Sequence, residues 1–277
     1  MSPRPGPRGG RPRPGAAGRP APSPRSRPAR GLGGEQIEGR RAVHELLVAR
    51  RRPVRDVWVV DGADPSPVLE AIVELATARR VPVRWMGRRQ MEEEARTDSH
   101  QGVLAHADPL EEADLEELAR GTPGRPGPAF LVVLEGVTDP HNVGAVLRSA
   151  ECAGATGVVL ARHHAVHVTP TVAKAAAGAI EHLPIAVVPG IPGALSTLSR
   201  AGVWSVGLDA DATTSLFGLP VADAPVALVL GAEDRGLSRL ARERCDLLVS
   251  IPRRGSLESL NVSAAAALAC FEVARRR

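Results

Sequence analysis

The sequence has no tyrosine, and aromatic residues make up 2% of its 277 positions. Stacking of bases on aromatic side chains is therefore excluded as its main way of gripping nucleic acid. Cysteine is scarce: Cys152, Cys245 and Cys270 show no paired spacing. Neither a zinc site nor a disulfide framework is expected, and free thiols without a signal peptide fit a reducing cytoplasm. No apolar run reaches the roughly 20 residues of a membrane-spanning helix. Lysine is nearly missing, Lys174 being the single one, so positive charge is carried by arginine.

That charge is unevenly placed. Of the 35 basic residues, eight arginines fall in residues 1–34, which hold none of the 31 acidic ones. The net charge of +4 therefore splits into +8 on this segment and −4 on the remainder. Residues 1–34 are mostly Pro, Gly and Arg with almost nothing to bury, so a disordered tail is expected. A basic tail is an electrostatic footprint for nucleic acid; the alternative is a solubilising arm.

Beyond the tail, periodicity predicts two α/β domains. "IEGRRAVHELLVARR" reads as a helix, "VRDVWVV" (54–60) as a strand and "SPVLEAIVELATARR" (66–80) as a helix. "VPVRW" (81–85) and "GVLAHA" (102–107) read as strands, with a short helix over 88–95 between them. Residues 35–108 are thus a small α/β layer domain. The acidic "DPLEEADLEELARG" and the turn-rich "TPGRPGP" mark a linker over 109–128. From 129 to 277, strand-like apolar runs recur at 130–134, 157–160, 185–188, 203–208, 226–230 and 247–251. Runs such as "VALVL" are apolar on both faces, as buried parallel strands are. A doubly wound parallel sheet follows, with ligand loops at the carboxyl ends of its strands. The Ala-rich "NVSAAAALACFEVARRR" closes the chain as a helix, its arginines suited to the negative end of the helix dipole.

Several common sites are absent. No G-x-G-x-x-G follows the first strand of the second domain, and there is neither a P-loop nor a G-x-S-x-G elbow. "HHAVH" (163–167) has no acidic or Cys partner at ligand spacing, so no metal is expected. Three loop segments remain: "TDPHNVGAVLRSAECAG" (138–154), "GAEDRGL" (231–237) and "IPRRGSLESLNVSAA" (251–265). In the first, Asp139 can cap a helix and Pro140 suits its first position. Val143, Val146, Leu147 and Ala150 form one apolar stripe, which Arg148 interrupts.

Taken in order, the three segments resemble the three motifs of the SpoU (TrmH) family of RNA ribose 2′-O-methyltransferases, "SLNVSAA" being the most specific. "IEGRRAVHELL", "DSHQGVLAHADP" and "VAKAAAGAIEHLPI" resemble the subgroup that modifies a guanosine of large-subunit rRNA, although that subgroup commonly has Ser where Ala176 stands. The resemblance implies a SPOUT-type parallel sheet with a C-terminal trefoil knot, preceded by an L30e-like substrate-binding domain. It also implies S-adenosylmethionine as cofactor, 23S rRNA as partner, and a homodimer that completes the active site. Close relatives that act on tRNA or confer antibiotic resistance, and a non-catalytic RNA-binding or ribosome-assembly protein of the same fold, are the alternatives.

The resemblance also assigns roles. Arg148 is the arginine of the first motif. A guanidinium stays protonated in proteins, so gripping a phosphate to place the ribose is physically easier for it than acting as a base. Its other reading is a surface arginine packing its stem on the helix. Asn142 holds Arg148 or the ribose, or is simply a polar helix-start residue. Glu233 orients Arg148 or Asn142, or interacts with a helix dipole. Ser259 and Asn261 belong to the site or cap the last helix. Gly207, Gly231, Ile251 and Leu260 hold the cofactor, mostly through main-chain groups. His100 and Gln101 either close a domain turn or face RNA.

Overall fold

The computed structural model describes residues 32–121, 127–162, 168–257 and 259–277. The first half contains β1 (Gln36–Glu38), α1 (Arg40–Ala49), β2 (Val54–Val60), α2 (Pro67–Ala78), β3 (Val83–Met86), α3 (Arg88–Glu94) and β4 (Val103–Ala107). The strands form one sheet in the order β1-β4-β2-β3. β2 and β3 run parallel, while β4 is antiparallel to both of its neighbours. α2 starts where the sequence dictates: Ser66 accepts a hydrogen bond from the Leu69 N–H, and Pro67 follows at the first position. Val43, Leu46 and Leu47 of α1 and Ile72 of α2 are buried against Val57, Val59, Val103 and Ala105 of the sheet. Each such side chain contributes about 1.5–3 kcal/mol by leaving water.

Three features differ from the sequence expectation. Order begins before residue 35, because Leu32 is buried with Leu110 and Val168, and Gly33 pairs with Val168 in a parallel bridge. The expected first helix is preceded by β1, whose three residues are too few for a periodic signal and are fixed by pairing with β4. The acidic stretch is not a free linker. It forms α4 (Leu115–Arg120), capped by Asp114, and buries Leu118 and Ala119 against Leu131 and Leu198.

The second half continues with β5 (Phe130–Glu135), α5 (Pro140–Cys152), β6 (Gly157–Ala161), α6 (Pro170–Ala175) and a 3₁₀ turn at Ala179–Glu181. Next come β7 (Ile185–Val188), α7 (Ile191–Arg200), β8 (Trp204–Leu208), β9 (Thr214–Ser215) and β10 (Val226–Gly231). α8 (Arg239–Arg244), β11 (Leu247–Ser250) and α9 (Val262–Ala274) complete it. The sheet order is β7-β6-β5-β10-β8-β11-β9, and every pairing is parallel. Apolar clusters lie on both faces, which explains the unbroken hydrophobic runs. The chain winds from β5 outward through β6 to β7, then crosses to β8 on the far side of β10. That reversal of direction opens a crevice at the carboxyl ends of the central strands.

The last arginines are tethers rather than dipole partners. Arg277 donates to the carbonyls of Ala222, Ala224, Pro128 and Ala129, and its guanidinium lies 5.2 Å from the centre of the Phe130 ring. Arg275 pairs with the buried Glu272, which also accepts the Gly218 N–H at 2.9 Å. A buried ion pair joins the two halves of the chain. Arg52 donates from Nε and Nη2 to the Glu181 carboxylate at 3.0 and 2.5 Å, with side-chain exposures of 5% and 1%. Among the described residues no helix is long and apolar enough to cross a membrane.

Candidate functional site

The three segments singled out in the sequence converge at the carboxyl ends of β5, β10 and β11. Asp139 caps α5 by accepting the N–H groups of His141 and Asn142 at 2.6 and 3.1 Å, which fixes Asn142 in the first turn. Gly231 ends β10. The turn after it is closed by the Gly236 N–H donating to the Ala232 carbonyl at 2.7 Å, and this holds Glu233 at the crest. Asn261 caps α9, its Oδ1 accepting the Ser263 N–H at 2.8 Å.

Glu233 ties these pieces together. Its Oε1 accepts from Asn142 Nδ2 at 2.9 Å and from Asn261 Nδ2 at 2.6 Å. Asn261 Nδ2 also reaches Asn142 Oδ1 at 3.1 Å. Three loops far apart in sequence thus share one carboxylate, through hydrogen bonds strengthened by its charge. Asn261 serves as cap and site residue at once, because its oxygen and nitrogen face different partners.

A cavity of about 290 Å³ lies beside this triangle, lined by Gly231, Glu233, Ile251, Ser259 and Leu260 among others. Leu208, Leu237 and Val262 give it apolar walls. The main-chain N–H and C=O of Leu260 carry no hydrogen bond among the described residues, so a donor and an acceptor remain for a ligand. Gly231 is there for close approach: a Cβ would lie 2.1 Å from the Gly236 carbonyl carbon, a main-chain atom that cannot yield. Gly207 sits elsewhere. It is buried one residue before the lining, where a Cβ would strike Leu248, Leu237 and Cys245, so its role is packing.

Asp209 and Arg242, an acid and a base that both line the cavity, were not singled out from the sequence. Asp209, at the end of β8, accepts the Asp211 N–H at 2.9 Å and pairs with Arg242 at 2.9 Å. It thereby shapes the loop that rims the cavity. The signal was an acid at the carboxyl end of a buried strand, as at Glu135, whose carboxylate holds Ser238.

Arg148 stands apart from the triangle. Six residues separate it from Asn142, which puts the two about 120° apart around the helix. It is exposed and makes no hydrogen bond or ion pair among the described residues, so neither Asn142 nor Glu233 orients it within one chain. It lines a second, larger cavity together with His100, Gln101 and Lys174. The turn at His100–Gln101 has a double use. The Gln101 side chain accepts the Arg40 N–H at 3.0 Å while the Gly102 N–H donates to His100 Nδ1, and both residues line the cavity. The "HHAVH" segment lies outside the described residues. Among those described, no cluster of His, Cys, Asp or Glu could hold a metal ion.

Residues 129–271 match the SpoU rRNA Methylase family, and residues 36–113 match RNA 2′-O ribose methyltransferase substrate binding. A 23S rRNA (guanosine-2′-O-)-methyltransferase RlmB of Pseudomonas putida is 39% identical over 246 residues, 88% of this chain and 97% of that protein. Among solved structures, the SpoU methyltransferase AviRb of Streptomyces viridochromogenes, in complex with AdoMet, is similar at a TM-score of 0.71 and 26% identity. The likeness covers 87% of this chain and 89% of that one. An RNA 2′-O ribose methyltransferase gives a TM-score of 0.71 at 27% identity, covering 87% and 88% of the two chains. With its catalytic half matched nearly from end to end and a relative aligned along almost its full length, the chain belongs to the SpoU rRNA methylase family.

Proposed function

We propose that the chain is an S-adenosylmethionine-dependent ribose 2′-O-methyltransferase acting on a guanosine of 23S rRNA. The observation that carries this reading is the convergence of the Asn142 and Asn261 amides on one carboxylate oxygen of Glu233 at the rim of a cavity. The RlmB relative bears that activity in its name, and AviRb was crystallised with AdoMet.

The cavity fits the cofactor by its donor set. Apolar walls from Leu208, Leu237 and Ile251 suit a purine, and the free main-chain pair of Leu260 can read its edge. When bound, S-adenosylmethionine supplies an electrophilic methyl group on a sulfonium. The residues of this chain then have two tasks. Glu233, Asn142 and Asn261 hold the loops at the cavity mouth in one geometry, and correct placement of reacting groups supplies much of the rate. Arg148, permanently charged and without a hydrogen-bond or ion-pair partner among the described residues, grips a phosphate and so places the target ribose.

The same reading includes a homodimer, a C-terminal trefoil knot, an L30e-like first domain and a cytoplasmic location. The dimer is supported by the outer face of α9, where Leu268 and Phe271 are 41% and 50% exposed alongside Ala264. Apolar side chains grouped on one helix face mark an association surface. Light scattering should give twice the 29.0 kDa of the chain. The eight arginines of residues 1–34 add phosphate contacts that raise affinity without reading sequence. Mapping of ribose methylations in rRNA and tRNA from a strain lacking the gene tests the whole reading. One guanosine of 23S rRNA should lose its 2′-O-methyl group; a loss confined to tRNA would move the substrate, and no loss would refute the activity.

A further inference from the structure

The second cavity, of about 1390 Å³, has walls from both halves of the chain. Arg41, Arg88 and Arg96 stand on one wall, Arg148 and Lys174 on the other. The side chains of all five carry no hydrogen bond or ion pair among the described residues. Elsewhere on this net-acidic body many arginines are matched: Arg52 with Glu181, Arg55 with Asp108, Arg162 with Glu112 and Arg242 with Asp209. A sixth cation, Arg40, spends its guanidinium on neutral acceptors, the carbonyls of Gln101 and Asp64 and the Ser66 hydroxyl. Glu38, Asp64, Glu92 and Asp98 also line the groove, four acids against six cations, so the cations remain in excess. Like charges held side by side repel one another, and a polyanion laid along them relieves that cost.

The walls are locked together. Besides the Arg52–Glu181 pair, Arg51 donates to the Leu183 carbonyl at 2.8 Å, and Glu45 bonds His182 at 2.9 Å. A Cβ on Gly178 would lie 2.3 Å from the Glu45 Cβ, so α1 and the turn after α6 are in close contact. The groove is therefore preformed. Among the described residues its lining holds no Phe or Trp, which leaves phosphates rather than stacked bases as the groups it can grip.

We propose that this groove is a phosphate track for the RNA strand adjoining the target ribose, gripped from the first half by Arg41 and Arg96 and from the methylase half by Lys174. The proposal rests on the RNA-methyltransferase reading. Contacts of this kind set affinity and register and carry no base preference.

The test measures binding of in-vitro-transcribed 23S rRNA to the full chain across a salt series, beside calorimetry with S-adenosylmethionine. For Arg41→Gln/Arg96→Gln/Lys174→Gln, three lost contacts should flatten the plot of log K against log salt by roughly 2, at about 0.7 per contact on single strands. RNA affinity should fall at least about tenfold at low salt, with cofactor affinity and thermal midpoint unchanged. The charge-conserving Arg41→Lys/Arg96→Lys/Lys174→Arg should keep the original slope. An unchanged slope in the glutamine variant, or an equal loss in the charge-conserving one, would overturn the track. Failure of the parent protein to bind cofactor would instead sink the methyltransferase reading, which the slope does not probe.

Discussion

Asn261 Nδ2 lies 2.6 Å from Glu233 Oε1, although the two residues belong to loops after different strands. The same oxygen takes the Asn142 amide from the first turn of α5. One carboxylate thus fixes the relative positions of all three segments around the cavity.

Removing that carboxylate should matter more for activity than for stability. Glu233 is exposed, so Glu233→Ala leaves little unsatisfied in the core. It strips the two amides of a charged acceptor worth about 1.5–3 kcal/mol. If that energy holds the loops in their reactive geometry, methyl transfer should slow by roughly 10- to 100-fold. Single-turnover kinetics, with the thermal midpoint as control, measures this. A variant with the parent rate would remove Glu233 from the site.

Gly231→Ala should act on the cofactor. The added methyl group meets the Gly236 carbonyl carbon and the Leu237 nitrogen, so the turn carrying Glu233 must move. Calorimetry should show S-adenosylmethionine affinity reduced more than about tenfold, equivalent to at least 1.4 kcal/mol. An unaltered dissociation constant would mean that the turn does not shape the cofactor cavity.

What could be read from the sequence follows from the range of the forces involved. Strands such as Ile185–Val188 and Val54–Val60 were legible because burial on a sheet writes itself into consecutive residues. Asp139, Pro140 and Ser66 were legible as helix starts because capping is local. β1 was not, since only its pairing with β4 defines it. Gly207 and Gly231 look alike as glycines at strand ends, yet side-chain packing explains one and a main-chain turn the other. Arg148 was visible as an anomaly on an apolar helix. That it turns away from Glu233 depends on the phase of α5 relative to loops about 90 residues distant, which is set by tertiary packing.

Between the two halves of the chain, Glu181→Ala would leave Arg52 buried without a counter-charge. Breaking a buried pair in this way costs about 3–5 kcal/mol. Urea denaturation should register a loss of that order. A loss below about 1 kcal/mol would mean that water replaces the carboxylate and that the clamp is not structural.

The same interface has an acid limit. Burial alone would raise the Glu45 carboxyl, but hydrogen bonds from His182 and His44 outweigh it and hold the group below its ordinary value. A carboxylate depressed in the folded state contributes stability above its unfolded value, near 4.5, and loses it as pH falls through the folded one. As pH falls below about 5 the contribution should begin to fade, and Glu45→Gln should flatten that part of the stability profile. Parallel acid profiles for the two proteins would show that Glu45 does not carry it.

The reaction assigned to the chain is methyl transfer to a ribose 2′-oxygen. The purified chain, supplied with methyl-labelled S-adenosylmethionine and 23S rRNA lacking its ribose methylations, provides the direct test. Nucleosides from the digested RNA are identified by mass spectrometry. The expected product is labelled 2′-O-methylguanosine from a single position, absent when Arg148→Ala replaces the parent protein. Label on a base, or no label with folded protein and intact RNA, would contradict the account.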